Sequence, residues 1–251
     1  FWSVGGAWNI EKESFFNVPW VNHLKLKVSL GQQGNDALGN NWYFADQYTL
    51  SKSSATSMAP SFRLPGNPEL TWETTTNLNV GLEFSLLKNF LQGSVDVYSK
   101  KISDMLFWLS LPELSGTRGY YGNIGDMRNS GVEVTLTVTP IRTRDITWSI
   151  TGMLAHNATK ILKLPRQKTQ DYGGYVDNGT GHECWYEVGK PLYNMLLPEY
   201  AGVNEHGQAL YYVDTDVAVK DRGSFPNKKR NGTTTNISEA SFYEQGSVMP
   251  K

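Results

Sequence analysis

Strict two-residue alternation of apolar and polar side chains constrains this sequence more than any other feature. Leu24, Leu26, Val28 and Leu30 are separated by Lys25, Lys27 and Ser29. Leu78, Val80, Leu82 and Phe84 alternate with Asn77, Asn79, Gly81, Glu83 and Ser85. Val132, Val134, Leu136 and Val138 alternate with Glu133, Thr135 and Thr137. Ile146, Trp148, Ile150 and Leu154 do so with Thr147, Ser149, Thr151 and Met153. Successive strand side chains point to opposite faces, so a period of two marks β-strands with one apolar side. Fainter alternation runs from Trp2 to Ile10 and from Leu91 to Ser99. The pattern predicts an all-β chain of about six strands, over 1–10, 23–31, 76–86, 90–106, 130–139 and 146–157. Each is near the ~10 residues of a membrane β-strand.

The connections add a second constraint. Leu87 to Asn89 reads as a tight hairpin, Pro140 to Asp145 as a short polar turn, and Glu11 to Asn22 as a somewhat longer link. The alternate connections are long: 32–75, 107–130 and 158–251. Structureless loops beyond ~12–15 residues are uncommon in compact soluble domains. An outer-membrane barrel expects them, with short turns on the periplasmic side and long extracellular loops. Trp8, Phe84 and Trp148 lie on the apolar parity near the shorter connections, where an interfacial aromatic girdle would sit.

A soluble β-sandwich alternates in the same way, and alternation alone favours it. The opposite face carries Gly, Asn, Ser and Thr beside a few charges, which suits a crowded wet lumen. With the loops and the aromatic row, it tips the reading to part of a large antiparallel transmembrane β-barrel. Six strands do not close a single-chain bacterial barrel, which needs at least about 8. An open edge in lipid leaves backbone groups unpaired, so polypeptide outside this chain is expected to complete the barrel. The sequence opens inside a strand with no leader and stops without a closing element, so both ends are expected to be cut.

Composition narrows the function classes. The net charge of -1 provides no basic field for nucleic acid. No segment approaches the ~18 apolar residues of a membrane helix. Cys184 is the lone cysteine, expected as a free buried thiol.

Several ordered segments carry a family resemblance. SLGQQGN (Ser29 to Asn35) follows LKLKV, and GNPELTWE (Gly66 to Glu73) leads into TTNLNVGLEF. GSVDVYSKKISDML (Gly93 to Leu106), NIGDMRNSGVEVTL (Asn123 to Leu136) and AGVNEHGQALY (Ala201 to Tyr211) come later. In order and spacing they resemble the C-terminal barrel of SusC/RagA-type TonB-linked outer-membrane proteins of Bacteroidetes, from Phe1 to about Tyr212. Val213 to Lys251 matches no pattern and reads as a polar loop. The resemblance implies a barrel of about 22 strands filled by an N-terminal plug. It implies import of glycans or peptides across the outer membrane, energy delivered through TonB, and a SusD-like lipoprotein lidding the mouth. The plug, TonB box and final strands that it implies are expected to lie outside this chain. Within the motifs, Asn67-Pro68, Trp72-Glu73, Gly125 and Gly131 are expected to serve architecture rather than substrate.

Chemistry-bearing patterns are sparse. His23, His156, His182 and His206 lack metal-ligand spacing. Asp214 and Asp216 open like a calcium loop, but Val219 stands where its glycine belongs and no carboxylate closes it. No phosphate loop, dinucleotide fingerprint or nucleophile elbow is present. Sequons at Asn157, Asn178, Asn231 and Asn236 read as chance in polar loops, and Lys228-Lys229-Arg230 as a solvated run. No cofactor is expected, and the chain is read as no enzyme. The long loops hold aromatics able to stack on sugar rings or anchor a partner: Trp42, Tyr43 and Phe44; Phe107 and Trp108; Tyr120 and Tyr121; Trp185 and Tyr186. Arg118 is the leading candidate for a ligand-facing charge. A nutrient importer in the bacterial outer membrane leads, ahead of a surface-exposed β adhesin or binding module and of a barrel enzyme with its site in the loops.

Overall fold

The structure is a computed structural model that describes residues 1–36, 42–52, 58–111, 113–117, 119–165, 173–177 and 183–247. The chain divides into two compact units, Phe1–Ala158 and Thr159–Pro250.

The first unit is built on one antiparallel sheet. Its strands are β1 (Trp2–Asn9), β2 (Val21–Asn35), β5 (Glu73–Leu86), β6 (Leu91–Ser110), β7 (Gly119–Arg142) and β8 (Thr147–Lys163), in that spatial order. β3 (Gln47–Lys52) and β4 (Met58–Leu64) form a separate hairpin in the β2–β5 connection. Every neighbour in the large sheet is the next of these strands along the chain, so the connections alternate between two rims. Turns 10–20, 87–90 and 143–146 lie at one rim; connections 36–72 and 111–118 lie at the other, and β8 runs toward the latter.

The ladder keeps the apolar set on one face. Leu26 faces Leu82, Leu82 faces Val95, and Val95 faces Val134. Val97, Leu136 and Ile150 remain 51%, 41% and 52% exposed, so this side is not the inside of a two-sheet sandwich. The opposite face is polar. In the row Lys27, Gly81, Asp96, the Lys27 ammonium lies 2.6 Å from Glu83 Oε1 and 3.8 Å from Asp96 Oδ1. Gly81 leaves the space this ion cluster occupies, because a Cβ there would collide with the Asp96 carboxylate.

Trp8, Phe84 and Trp148 share the apolar side but not one ladder row. Trp8 faces Leu26, Leu26 faces Leu82, and Phe84 stands two residues farther toward the short-turn rim. One residue of offset per strand is ~3.3 Å along for ~4.8 Å across, a tilt of about 35°. That is the tilt of strands in an outer-membrane barrel, so a level girdle on tilted strands has to be staggered across the ladder. Trp148 stands one residue into β8, beside the 143–146 turn of the same rim.

The strands outrun the alternation. The region 107–130, expected as a loop, is mostly ladder: β6 continues to Ser110 and β7 begins at Gly119. Two register shifts, between Ile102 and Met105 and between Met105 and Leu106, break the period of two and hide these residues from a sequence reading. Asp104 takes a left-handed φ of 58° there, and its N–H donates to Asp126 Oδ1 at 3.2 Å. The Asn123 amide substitutes for a strand edge: Oδ1 accepts from Thr71 N–H at 2.9 Å, and Nδ2 donates to the Thr71 and Asp104 carbonyls at 2.7 and 2.8 Å. Leu136 is level with Phe84 through Gly93. Counting about ten residues back from it along β7 reaches the bulged region. A membrane span counted this way would end at the bulges and leave the ladder beyond them outside it.

The segment expected as the loop 158–251 is also a folded unit. It contains β9 (Gly174–Asp177), β10 (Cys184–Glu187), β11 (Asn194–Pro198), β12 (Tyr200–Val203), β13 (Ala209–Val213), β14 (Gly232–Thr234) and β15 (Phe242–Ser247). One sheet has the order β15-β11-β10-β9, another β12-β13-β14. Trp185, Leu196 and Tyr243 are fully buried at its centre. Strands this short show no readable periodicity, and the core residues that join them lie far apart in sequence.

An arginine at Leu136 or Ile150 should cost about 2–4 kcal/mol of folding stability in a bilayer, whereas Thr135→Ser should be close to neutral. Folding titrations of the intact protein into phospholipid vesicles measure both; equal tolerance at the two parities would place the wrong face in lipid.

Candidate functional site

The long-connection end of the sheet carries an aromatic cleft. Trp108 and Tyr121 face each other across the β6–β7 ladder, so both rings leave the same side. Their centroids are 5.1 Å apart at 72°, the edge-to-face arrangement that ring quadrupoles favour. Tyr43, at the start of the 36–72 connection, closes on Tyr121 at 4.4 Å. The β3–β4 hairpin supplies Phe62, Arg63 and Ser61 to the same cleft, an open space of about 1350 Å³. Phe62 and Arg63 are both exposed. Stacking planes, one guanidinium and a few hydroxyls make a surface for holding a ligand, since each ring presents a face and the guanidinium donates to any carboxylate or hydroxyl.

The structure thus brings together three of the aromatics singled out by sequence and separates the others. Trp42 packs with Phe44 at 5.9 Å and stays 66% exposed. Tyr120 stands opposite Leu109, so strand alternation sends it to the other face from Tyr121. Arg118 lies outside the described residues. Trp185 is not a ligand-facing ring: it is 1% exposed in the core of the second unit, its indole N–H donating to Glu187 Oε2 at 2.9 Å. Aromatic content alone could not distinguish a core tryptophan from a cleft tryptophan. Arg63 and Phe62 were missed because the β3–β4 hairpin falls inside what reads as loop; the alternation of Met58, Pro60, Phe62 and Leu64 was the available signal.

Other polar clusters are consumed structurally. The buried Asp214 carboxylate accepts the N–H groups of Asp216 (3.2 Å) and Lys229 (3.1 Å), and Asp216 pairs with the Lys229 ammonium. Glu199 Oε2 receives both Nε and Nη2 of Arg230, which also sits 4.4 Å from the Tyr243 ring centroid. Cys184 is buried and free. Burial holds the neighbouring Glu183 carboxyl above its ordinary range.

The family profile described as TonB dependent receptor-like, beta-barrel matches residues 1–237. The chain belongs to this family. TonB-dependent receptor P26 of Formosa agariphila is 34% identical over 167 residues, 64% of this chain and 17% of that protein. TonB-dependent receptor SusC of Bacteroides thetaiotaomicron is 30% identical over 227 residues, 78% of this chain and 23% of that protein. Among solved structures, the RagAB peptide importer in its open-open state superposes with a TM-score of 0.79 at 29% identity, over 99% of this chain and 25% of that one. This TonB-dependent receptor chain therefore spans about a quarter or less of the length of these relatives.

Trp185→Ala should destabilise the second unit by about 3–5 kcal/mol, the range for emptying a buried tryptophan site. Protease protection of 183–247 in the intact protein reads this. If that segment stays fully protected, Trp185 does not hold its core together. Glu183 gives a pH test. Its folded-state pKa is raised, so its contribution to stability is fully present below the ordinary carboxylate value and is lost as pH rises through the raised value. Glu183→Gln should remove that dependence from the unit's unfolding profile just above the ordinary carboxylate range; an unchanged slope would assign it to other groups.

Proposed function

We propose that this chain forms part of the wall and mouth of an outer-membrane importer that takes up glycan or peptide oligomers, driven through TonB and lidded by a SusD-like lipoprotein. The observation that carries the reading is the aromatic cleft at the long-connection rim of a two-faced sheet. The apolar face suits lipid, the polar face suits a wet interior, and the rim cleft lies where cargo arriving from outside first meets protein. Family membership and the likeness to SusC and to the RagAB importer support transport rather than catalysis. On this reading the remaining barrel strands, the plug and the contact with TonB come from segments outside this chain, which spans about a quarter or less of these relatives.

The cleft is suited to oligomers. Trp108, Tyr121, Tyr43 and Phe62 offer several planes spread over one surface, and each can engage one residue of a repeating ligand by its apolar face. Such contacts add up along a chain without demanding a single exact monomer. A lipoprotein lid would cover the same rim and should bury more than roughly 1,000 Å² in a stable complex.

In the intact transporter, Trp108→Ala and Tyr121→Ala should each lower cargo affinity by roughly three- to tenfold, the worth of one aromatic pair. The cargo that co-purifies with the wild-type protein, identified as sugar or peptide by mass spectrometry, provides the ligand for that titration. Unchanged affinity in both variants would remove this cleft from cargo capture. Shortening 36–72 should weaken retention of the lipoprotein; full stoichiometry in the shortened form would locate docking elsewhere.

A further inference from the structure

We infer that Asn67 is the positioning residue of the aromatic cleft: its backbone N–H holds the Tyr43 carbonyl, its side chain holds the Tyr121 carbonyl of β7, and together they set Tyr43 against Tyr121. This rests on the reading of the cleft as ligand-facing. Asn67 lies in the GNP step that ends the connection. Its backbone N–H donates to the Tyr43 carbonyl at 2.9 Å. Its side-chain Nδ2 donates to the Tyr121 carbonyl at 3.0 Å. Its Oδ1 accepts the Glu69 N–H at 3.1 Å, which folds the chain locally and aims the amide. A single residue thus hydrogen-bonds the main chains of both tyrosines whose rings lie 4.4 Å apart.

The neighbours are shaped to allow this. Gly66 lies so close to Ala45 that a Cβ would collide with its backbone, and its N–H donates to Asp46 Oδ1 at 2.8 Å. The entering and returning arms of the connection are therefore pinned together beside Asn67. Asn123 fastens the returning arm a second time, at Thr71. That second clasp holds the arm to the ladder but touches neither tyrosine main chain. The two asparagines consequently divide the work: Asn123 secures the connection, and Asn67 sets the ring pair.

Asn67→Asp separates the two functions of the side chain. A carboxylate still accepts the Glu69 N–H, so the local turn survives. It can no longer donate to the Tyr121 carbonyl and instead repels it. Losing one neutral hydrogen bond shifts an equilibrium by roughly two- to tenfold. In the intact transporter, ruthenium-sensitised photo-oxidation couples tyrosine rings that are in contact, and linked peptides report the Tyr43–Tyr121 pair. Wild type should give this link. Asn67→Asp should lower its yield by about fivefold while the barrel keeps its heat-modifiable migration in detergent gels. Asn123→Ala should lower it less. A wild-type yield in Asn67→Asp overturns the inference.

Uptake of two fluorescent probes, a maltooligosaccharide and a casein-derived peptide digest, then separates this inference from the reading beneath it. For whichever probe the wild type transports, Asn67→Asp should raise the half-saturating concentration severalfold and leave the maximal rate unchanged. If Trp108→Ala impairs uptake and Asn67→Asp does not, the cleft stands and the positioning role falls. If neither variant affects uptake, the ligand-facing reading falls. If neither probe is transported, the cross-link alone decides whether Asn67 sets the pair.

Discussion

Backbone hydrogen bonding in an apolar medium is the constraint on which the sheet depends. Inside a bilayer no water is available to an unpaired N–H or C=O, and each unpaired group costs several kcal/mol. A strand there must be paired on both sides along its membrane span. The continuous ladders between β2 and β5, β5 and β6, and β6 and β7 meet that demand. With the backbone satisfied in this way, only side-chain parity remains to tell lipid from lumen. That is why the alternation is so regular between Leu78 and Phe84 and between Val132 and Val138.

Toward the long-connection rim the structure changes character. Register shifts enter at Ile102 to Leu106, Asp104 adopts a left-handed conformation, and side chains join the backbone as partners beside the continuing ladder. Asn123 spans Thr71 and Asp104 with one amide, and Asn67 reaches Tyr121. A side-chain amide offers a donor and an acceptor in one plane, as the peptide group does, so asparagine can stand in for a strand where the backbone turns away. The motif segments around Asn67 and Asn123, which resemble the family, thereby acquire a physical meaning: they fasten the long connection to the rim where the aromatic cleft opens.

The second unit solves a different problem. A segment of some ninety residues left unstructured would present a large entropic cost to any ordered interface. Burying Trp185, Leu196 and Tyr243 allows it to order itself. The ion pairs of Glu199 with Arg230 and of Lys190 with Glu244 add geometry more than stability, being partly solvated.

What the sequence determined by itself follows from local physics. A strand's two faces are written in its own residues, so six long strands, their sequential pairing and their shared apolar face were legible in the alternation. The chemistry of the rim was legible only as a set of residue types. Tyr43, Trp108 and Tyr121 were picked out with Trp185, and nothing in sequence separates them, because burial is a property of neighbours contributed by distant segments. The β6–β7 extension was hidden by bulges that shift the period, and the β3–β4 hairpin by its setting within a long connection. Tertiary structure alone decided which aromatics meet, since the meeting of Tyr43 with Tyr121 depends on the closure of a loop whose two ends are brought together by Asn67.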